Sequence, residues 1–114
     1  MRYICDMKRP HVTLILHDIR SKQNVGSIFR TADAIGITKI YLTGYTPAPL
    51  DRFDRPVQEI AKAALGAEKN ISWEKKKDIR VLLKNLKEQG YMTVAIEQSP
   101  TSVDYKKIKP KFPL

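Results

Sequence analysis

The sequence predicts an α/β fold layered around a mainly parallel sheet. Two observations predict it: nearly unbroken apolar runs at positions 11–16, 39–43 and 91–96, and apolar stripes of helical period between them, closed by glycines. Strand-like runs alternating with amphipathic helices are the pattern of parallel strands joined by crossovers. A chain of 114 residues makes one domain, spanning 1–114.

His11 to Leu16 (His-Val-Thr-Leu-Ile-Leu) reads as a strand buried on both faces. Asp18 to Gln23 is polar and reads as a loop at its carboxyl end. Asn24 is expected to cap a helix, because its side-chain carbonyl can accept a free backbone N–H. Val25, Ile28, Phe29, Ala32 and Ile35 then recur at helical spacing, and Gly36 supplies the left-handed stop. Lys39 to Thr43 is the second strand, which completes a βαβ unit.

Positions 44–56 hold three prolines, Pro47, Pro49 and Pro56, and read as a long loop. Arg52, Phe53 and Arg55 interleave charge with an aromatic ring there, a mixture suited to phosphates and unstacked bases. The plain alternative is a solvated, proline-rich connection. Val57 to Leu65 reads as a short helix ending at Gly66, and Ile71 and Trp73 mark a brief strand. Asp78 opens a helix with Ile79, Leu82, Leu83 and Leu86 on one face, closed by Gly90, and Tyr91 to Ile96 is a last buried strand. The tail from Tyr105 to Lys111 is basic and broken by Pro110, and Phe112-Pro113-Leu114 reads as the opening of a further strand.

Apolar residues make up 42% of the chain, an ordinary share for a packed core. No apolar run approaches the roughly 18 residues of a membrane span, and the N-terminus lacks a secretory pattern. Cys5 is the single cysteine, so no disulfide forms within the chain; it reads as a small, partly buried apolar residue in a cytoplasmic protein. The net charge of +9 creates a field that attracts polyanions, and nucleic acid is the expected partner rather than a membrane.

The main motif runs Asn24-x-Gly26-x-x-x-Arg30, then Ala32-Asp33-Ala34-Ile35-Gly36, then Lys39 to Gly44 (Lys-Ile-Tyr-Leu-Thr-Gly). It resembles the first conserved motif of the SpoU (TrmH-like) RNA methyltransferases of the SPOUT superfamily. Lys62 to Glu68 (Lys-Ala-Ala-Leu-Gly-Ala-Glu), with Trp73 after it, is similar to that family's next region, and the resemblance covers roughly residues 11–114. It implies a Rossmann-like layered fold of the SPOUT type. The implied activity is transfer of a methyl group from S-adenosylmethionine to a ribose 2′-hydroxyl of tRNA or rRNA, by a homodimer.

By the resemblance Arg30 is the catalytic residue and Asn24 its positioning partner. Arg30 can clamp a phosphate through two bonds or stabilise the alkoxide that develops on the attacking 2′-hydroxyl. Asn24 can orient Arg30 or bond the ribose. Gly26 lets backbone or substrate approach closely, and Arg52, Arg55 and Lys62 are expected along the RNA path beside Gly26. Each has a plainer reading: a surface ion pair of Arg30 with Asp33, a cap at Asn24, a solvated surface at Glu59, Lys62 and Lys69. His17-Asp18 at a strand end reads either as a general base or as a structural pair. Neither a zinc-ligand spacing nor a Walker loop, dinucleotide fingerprint or nucleophile elbow occurs, so no metal is expected.

The resemblance places S-adenosylmethionine in a C-terminal trefoil knot built on a Gly-Asn-Glu strand end and a Ser-Leu-Asn-Val-Ser turn. Neither occurs in this sequence. The chain therefore reads as an N-terminal part truncated before the knot, with the cofactor site expected beyond it. A non-catalytic RNA-binding module is the alternative function.

Overall fold

The computed structural model describes residues 2–8 and 11–97, with side chains described over 12–94. Cys5's side chain and the basic tail lie outside those residues. The elements are β1 (Arg2–Lys8), β2 (His11–His17), α1 (Lys22–Ala34), β3 (Lys39–Thr43), α2 (Gln58–Ala64), α3 (Ala67–Asn70), β4 (Ser72–Lys76), α4 (Ile79–Glu88) and β5 (Met92–Glu97).

The strands form one sheet in the order β4-β3-β2-β1-β5. β2, β3 and β4 are parallel neighbours, with Thr13 opposite Lys39 and Lys39 opposite Ser72. The expected layered α/β fold is observed. One strand departs from the expected order: β1 runs antiparallel between β2 and β5 and pairs with both.

Strand alternation splits the core between the two faces of the sheet. Leu14, Leu16, Ile40 and Leu42 face Val25 and Phe29 of α1 and Ile60 and Ala64 of α2. Ile15 points the other way, onto Leu82 and Leu86 of α4. Covering both faces is what allows strands as apolar as β2. Phe29 is fully buried, and truncating it to alanine is expected to cost about 3–5 kcal/mol.

Helix ends explain two of the boundaries. α1 closes in a Schellman turn: Gly36, at φ +88°, donates to Asp33 O at 3.2 Å, and Ile37 donates to Ala32 O at 2.9 Å. The helix expected over 57–65 instead ends at Ala64, because Leu65 itself adopts the left-handed conformation at φ 51°. Gly66 then starts the short α3. A left-handed leucine costs steric energy, so sequence alone favoured the glycine as the stop.

Candidate functional site

α1 begins earlier than expected. Its N-cap is Ser21, whose Oγ accepts the Asn24 N–H at 3.1 Å, and Asn24 lies in the first turn. The expectation that Asn24 caps the helix is therefore corrected. Serine and asparagine are comparable caps, and the polar stretch before Asn24 hid the better-placed one. The Asn24 side-chain amide has no hydrogen-bond partner among the described residues, which leaves it available to a ligand.

Gly26 is buried where α1 meets α2. A Cβ there would lie 2.5 Å from the Ile60 carbonyl oxygen and 2.6 Å from Ala63 Cβ. Of the two close approaches expected at Gly26, backbone or substrate, the structure shows that of the α2 backbone. Arg30 sits one turn further along the same face of α1, and it is exposed. No ion pair joins it to Asp33 among the described residues; Asp33 Oδ2 instead accepts from Asn70 Nδ2 at 3.3 Å. The Arg30 guanidinium thus has no partner among the described residues. Asn24 and Arg30 do not touch: six positions along one helix separate them by about 9 Å in rise and about 120° around the axis.

α2 supplies the other wall of this seam. Glu59 is engaged, its Oε2 meeting Lys22 Nζ at 3.3 Å. Lys62 is exposed and, with Gln23, Glu59 and Ala63, lines a cavity of about 330 Å³.

A polar cluster closes the carboxyl ends of β2 and β3, and the sequence reading missed most of it. His17 Nδ1 and Thr43 Oγ1 share a hydrogen bond of 2.8 Å, and His17 Nε2 meets Asp18 Oδ2 at 3.2 Å. Asp18 is left-handed at φ 53°, and its Oδ1 accepts the Tyr45 N–H at 3.2 Å. A Cβ on Gly44, itself at φ +63°, would collide with Asp18 Oδ1. Thr46 Oγ1 lies within bonding distance of both the Leu16 and Thr43 carbonyls and accepts from Ile19 N–H at 3.1 Å. Both nitrogens of His17 are occupied, which supports the structural reading of His17-Asp18 over a general base. The cluster ties the turn entering α1 to the loop leaving β3, and Arg20 stacks over the Tyr45 ring at 5.5 Å across that junction. A threonine at each side of Gly44 was the available signal.

The proline-rich loop is organised around Asp51. Its Oδ1 accepts backbone N–H groups of Phe53 at 2.8 Å and Arg55 at 3.0 Å, and its Oδ2 accepts Arg55 Nε at 3.1 Å. Those hydrogen bonds, the backbone bond from Arg55 foremost, hold the Asp51 carboxyl below the usual aspartate range. A short bridge between Leu50 and Pro56 closes the turn. At its tip the guanidiniums of Arg52 and Arg55 lie 4.8 Å and 4.9 Å from the centre of the Phe53 ring, which is 61% exposed. The loop is a built turn presenting two cations and a ring.

These elements align with a known family. The profile of the SpoU rRNA methylase family matches residues 11–113. The chain belongs to that family. Its SpoU-family relatives include a TrmH family tRNA/rRNA methyltransferase of Staphylococcus saprophyticus, 33% identical over 101 residues, covering 89% of this chain and 38% of the relative. The tRNA (guanosine(18)-2′-O)-methyltransferase of Escherichia coli K12 is 28% identical over 108 residues, covering 92% and 44%. The 23S rRNA (guanosine-2′-O-)-methyltransferase RlmB of Neisseria meningitidis is 28% identical over 97 residues, covering 85% and 36%. The SpoU-family chain described here thus spans between 36% and 44% of the length of these three relatives. The crystal structure of the A. aeolicus TrmH/SpoU tRNA modifying enzyme shares its fold, with a TM-score of 0.56 at 18% identity over 74% of this chain and 39% of that one.

At the carboxyl ends of β2 and β3, where open α/β sheets hold ligands, the fully buried Thr43 and Thr46 of this SpoU-family chain leave no room for the methyl donor. No cluster of metal-ligating side chains occurs among the described residues. What the site offers is exposed cations, Arg30 on α1 and Arg52 and Arg55 on the β3–α2 loop, together with the Asn24 amide, a set whose chemistry suits a polyanion. No described helix is long and apolar enough to cross a membrane.

Proposed function

We propose that this chain is the RNA-handling part of a methyltransferase that acts on a ribose 2′-hydroxyl of tRNA or rRNA. The observation that carries the reading is the exposed Arg30 guanidinium, without a partner among the described residues, within a family match spanning residues 11–113. In this reading Arg30 grips a backbone phosphate or the developing 2′-alkoxide. The Asn24 amide bonds the ribose, since it does not reach Arg30. Arg52, Arg55 and Lys62 extend the positive path, and Gly26 lets α1 and α2 close tightly behind it.

The names of two relatives specify guanosine, which supports guanosine as the modified nucleotide. S-adenosylmethionine is the donor in this reading, held by residues other than those described. A cytoplasmic homodimer is part of the same proposal; light scattering of the full-length protein tests the dimer.

The test is to incubate the full-length protein with tRNA or rRNA and methyl-labelled S-adenosylmethionine, then hydrolyse the RNA in alkali. A methylated 2′-oxygen cannot attack the neighbouring phosphodiester, so label is expected in alkali-resistant dinucleotides. Label in alkali-labile mononucleotides places the methyl group on a base and refutes the ribose assignment. A second reading, a non-catalytic RNA-binding module, is favoured by the filled strand ends and the net charge of +9. RNA binding without any methyl incorporation supports it.

A further inference from the structure

We propose that the cavity between the β3–α2 loop, α3 and β4 takes a guanine base of the RNA, with the Glu68 carboxylate reading its Watson–Crick edge. The inference rests on the RNA-methyltransferase reading and deepens it by giving the substrate a base-selective contact. The cavity holds about 430 Å³, within the roughly 300–1,000 Å³ typical of small-molecule sites. Its walls are largely apolar, with Leu50, Pro56 and Trp73 among the lining residues, and Trp73 is half-buried. Flat apolar walls with an indole among them suit a planar heterocycle.

Three polar side chains interrupt that lining: Gln58, Glu68 and Lys69. Glu68 is the informative one. Its Oε2 is buried and has no hydrogen-bond partner among the described residues, and in this proposal a turn of the carboxylate about its last side-chain bond, a soft rotation, brings it to the base. A buried acceptor without a donor is unfavourable, so an occupant that brings N–H groups is favoured over one that brings acceptors. Guanine presents N1–H and N2–H side by side, matching the two oxygens of a carboxylate. Adenine and cytosine set a ring acceptor beside their amino donor, and uracil flanks its single N–H with carbonyls. The exposed ammonium of Lys69, at the same cavity, supplies the charge for the attached phosphate.

Trp73 is the single tryptophan of the chain, so its fluorescence reports on this cavity directly. The 114-residue chain, in which Trp73 is the sole tryptophan, is titrated with guanosine, inosine and adenosine 5′-monophosphates. Saturable quenching is expected with the guanosine nucleotide, weaker binding with inosine, which keeps N1–H and lacks the amino group, and roughly tenfold weaker binding with adenosine. Glu68→Gln replaces an acceptor by a donor and is expected to erase that order. Equal binding of the three nucleotides, no quenching by any of them, or the same order in Glu68→Gln overturns the proposal. So does a quench that depends on protein concentration alone, which gives the cavity to a second copy of the chain. Ribose methylation without selective quenching sinks the pocket and spares the enzyme reading. Selective quenching without methylation does the reverse.

Discussion

The Cα of Gly26 faces the carbonyl oxygen of Ile60 so closely that a Cβ would stand 2.5 Å from it. The glycine of the Asn-x-Gly-x-x-x-Arg motif therefore fixes how α2 lies against the helix that carries Arg30. Gly26→Ala is expected to destabilise the fold by about 1–3 kcal/mol through overpacking, read from the midpoint of urea unfolding. The neighbour it strikes is backbone, which cannot turn aside. An unchanged midpoint would show that the two helices are not in this contact.

Ser21 and Asn24 separate by the same logic. Ser21→Ala removes the cap and is expected to cost about 1 kcal/mol. Asn24→Ala removes an amide with no described partner, so stability is expected to move by less than about 0.5 kcal/mol while methyl transfer falls. Paired unfolding and activity measurements check both. If Asn24→Ala destabilises as much as Ser21→Ala, the asparagine is structural and its ribose contact is lost from the account.

The tip of the β3–α2 loop is expected to act through phosphate charge. Replacing Arg52 and Arg55 together by alanine should lower the slope of log affinity against log salt by about two in an RNA titration. Melting temperature should barely change, since both side chains are exposed. A slope equal to that of the unmodified protein removes these arginines from the RNA path.

Asp51 sets the pH range in which that loop holds its shape. Its folded-state carboxyl titrates below the unfolded aspartate value of about 3.9, chiefly through the backbone bond from Arg55. The contribution is therefore fully present above about pH 4 and is lost as the pH falls through the lower, folded-state value. NMR titration of the Asp51 carboxyl carbon should give a midpoint below that of free aspartate. A midpoint at or above it would contradict the hydrogen-bonded turn.

How much of this was legible in the sequence depends on whether local or distant contacts decide each feature. The β2 run, the α1 stripe from Val25 to Ala32 and the stop at Gly36 are local patterns, and they stand where expected; Ile35, expected in the same stripe, is instead 70% exposed at the helix end. β1 was not legible: Arg2, Asp6 and Lys8 interrupt its apolar residues, and its place between β2 and β5 is fixed by pairing on both sides. The motif pointed to an exposed Arg30 and a tightly packed Gly26, both of which the fold provides. It could not show that Glu68, Trp73 and Leu50 border one cavity, because three separate elements meet there. Nor could it show His17 held between Thr43 and Asp18, a contact that depends on strand register.

The central claim is tested most directly by methyl transfer to RNA by the full-length protein, comparing the natural chain with Arg30→Ala under matched donor and RNA concentrations. The account predicts a fall of about a hundredfold or more in rate, with an unchanged unfolding midpoint, because an exposed guanidinium with no partner among the described residues stabilises the reacting ribose-phosphate and not the fold. Arg30→Ala that methylates RNA at the natural rate would contradict it.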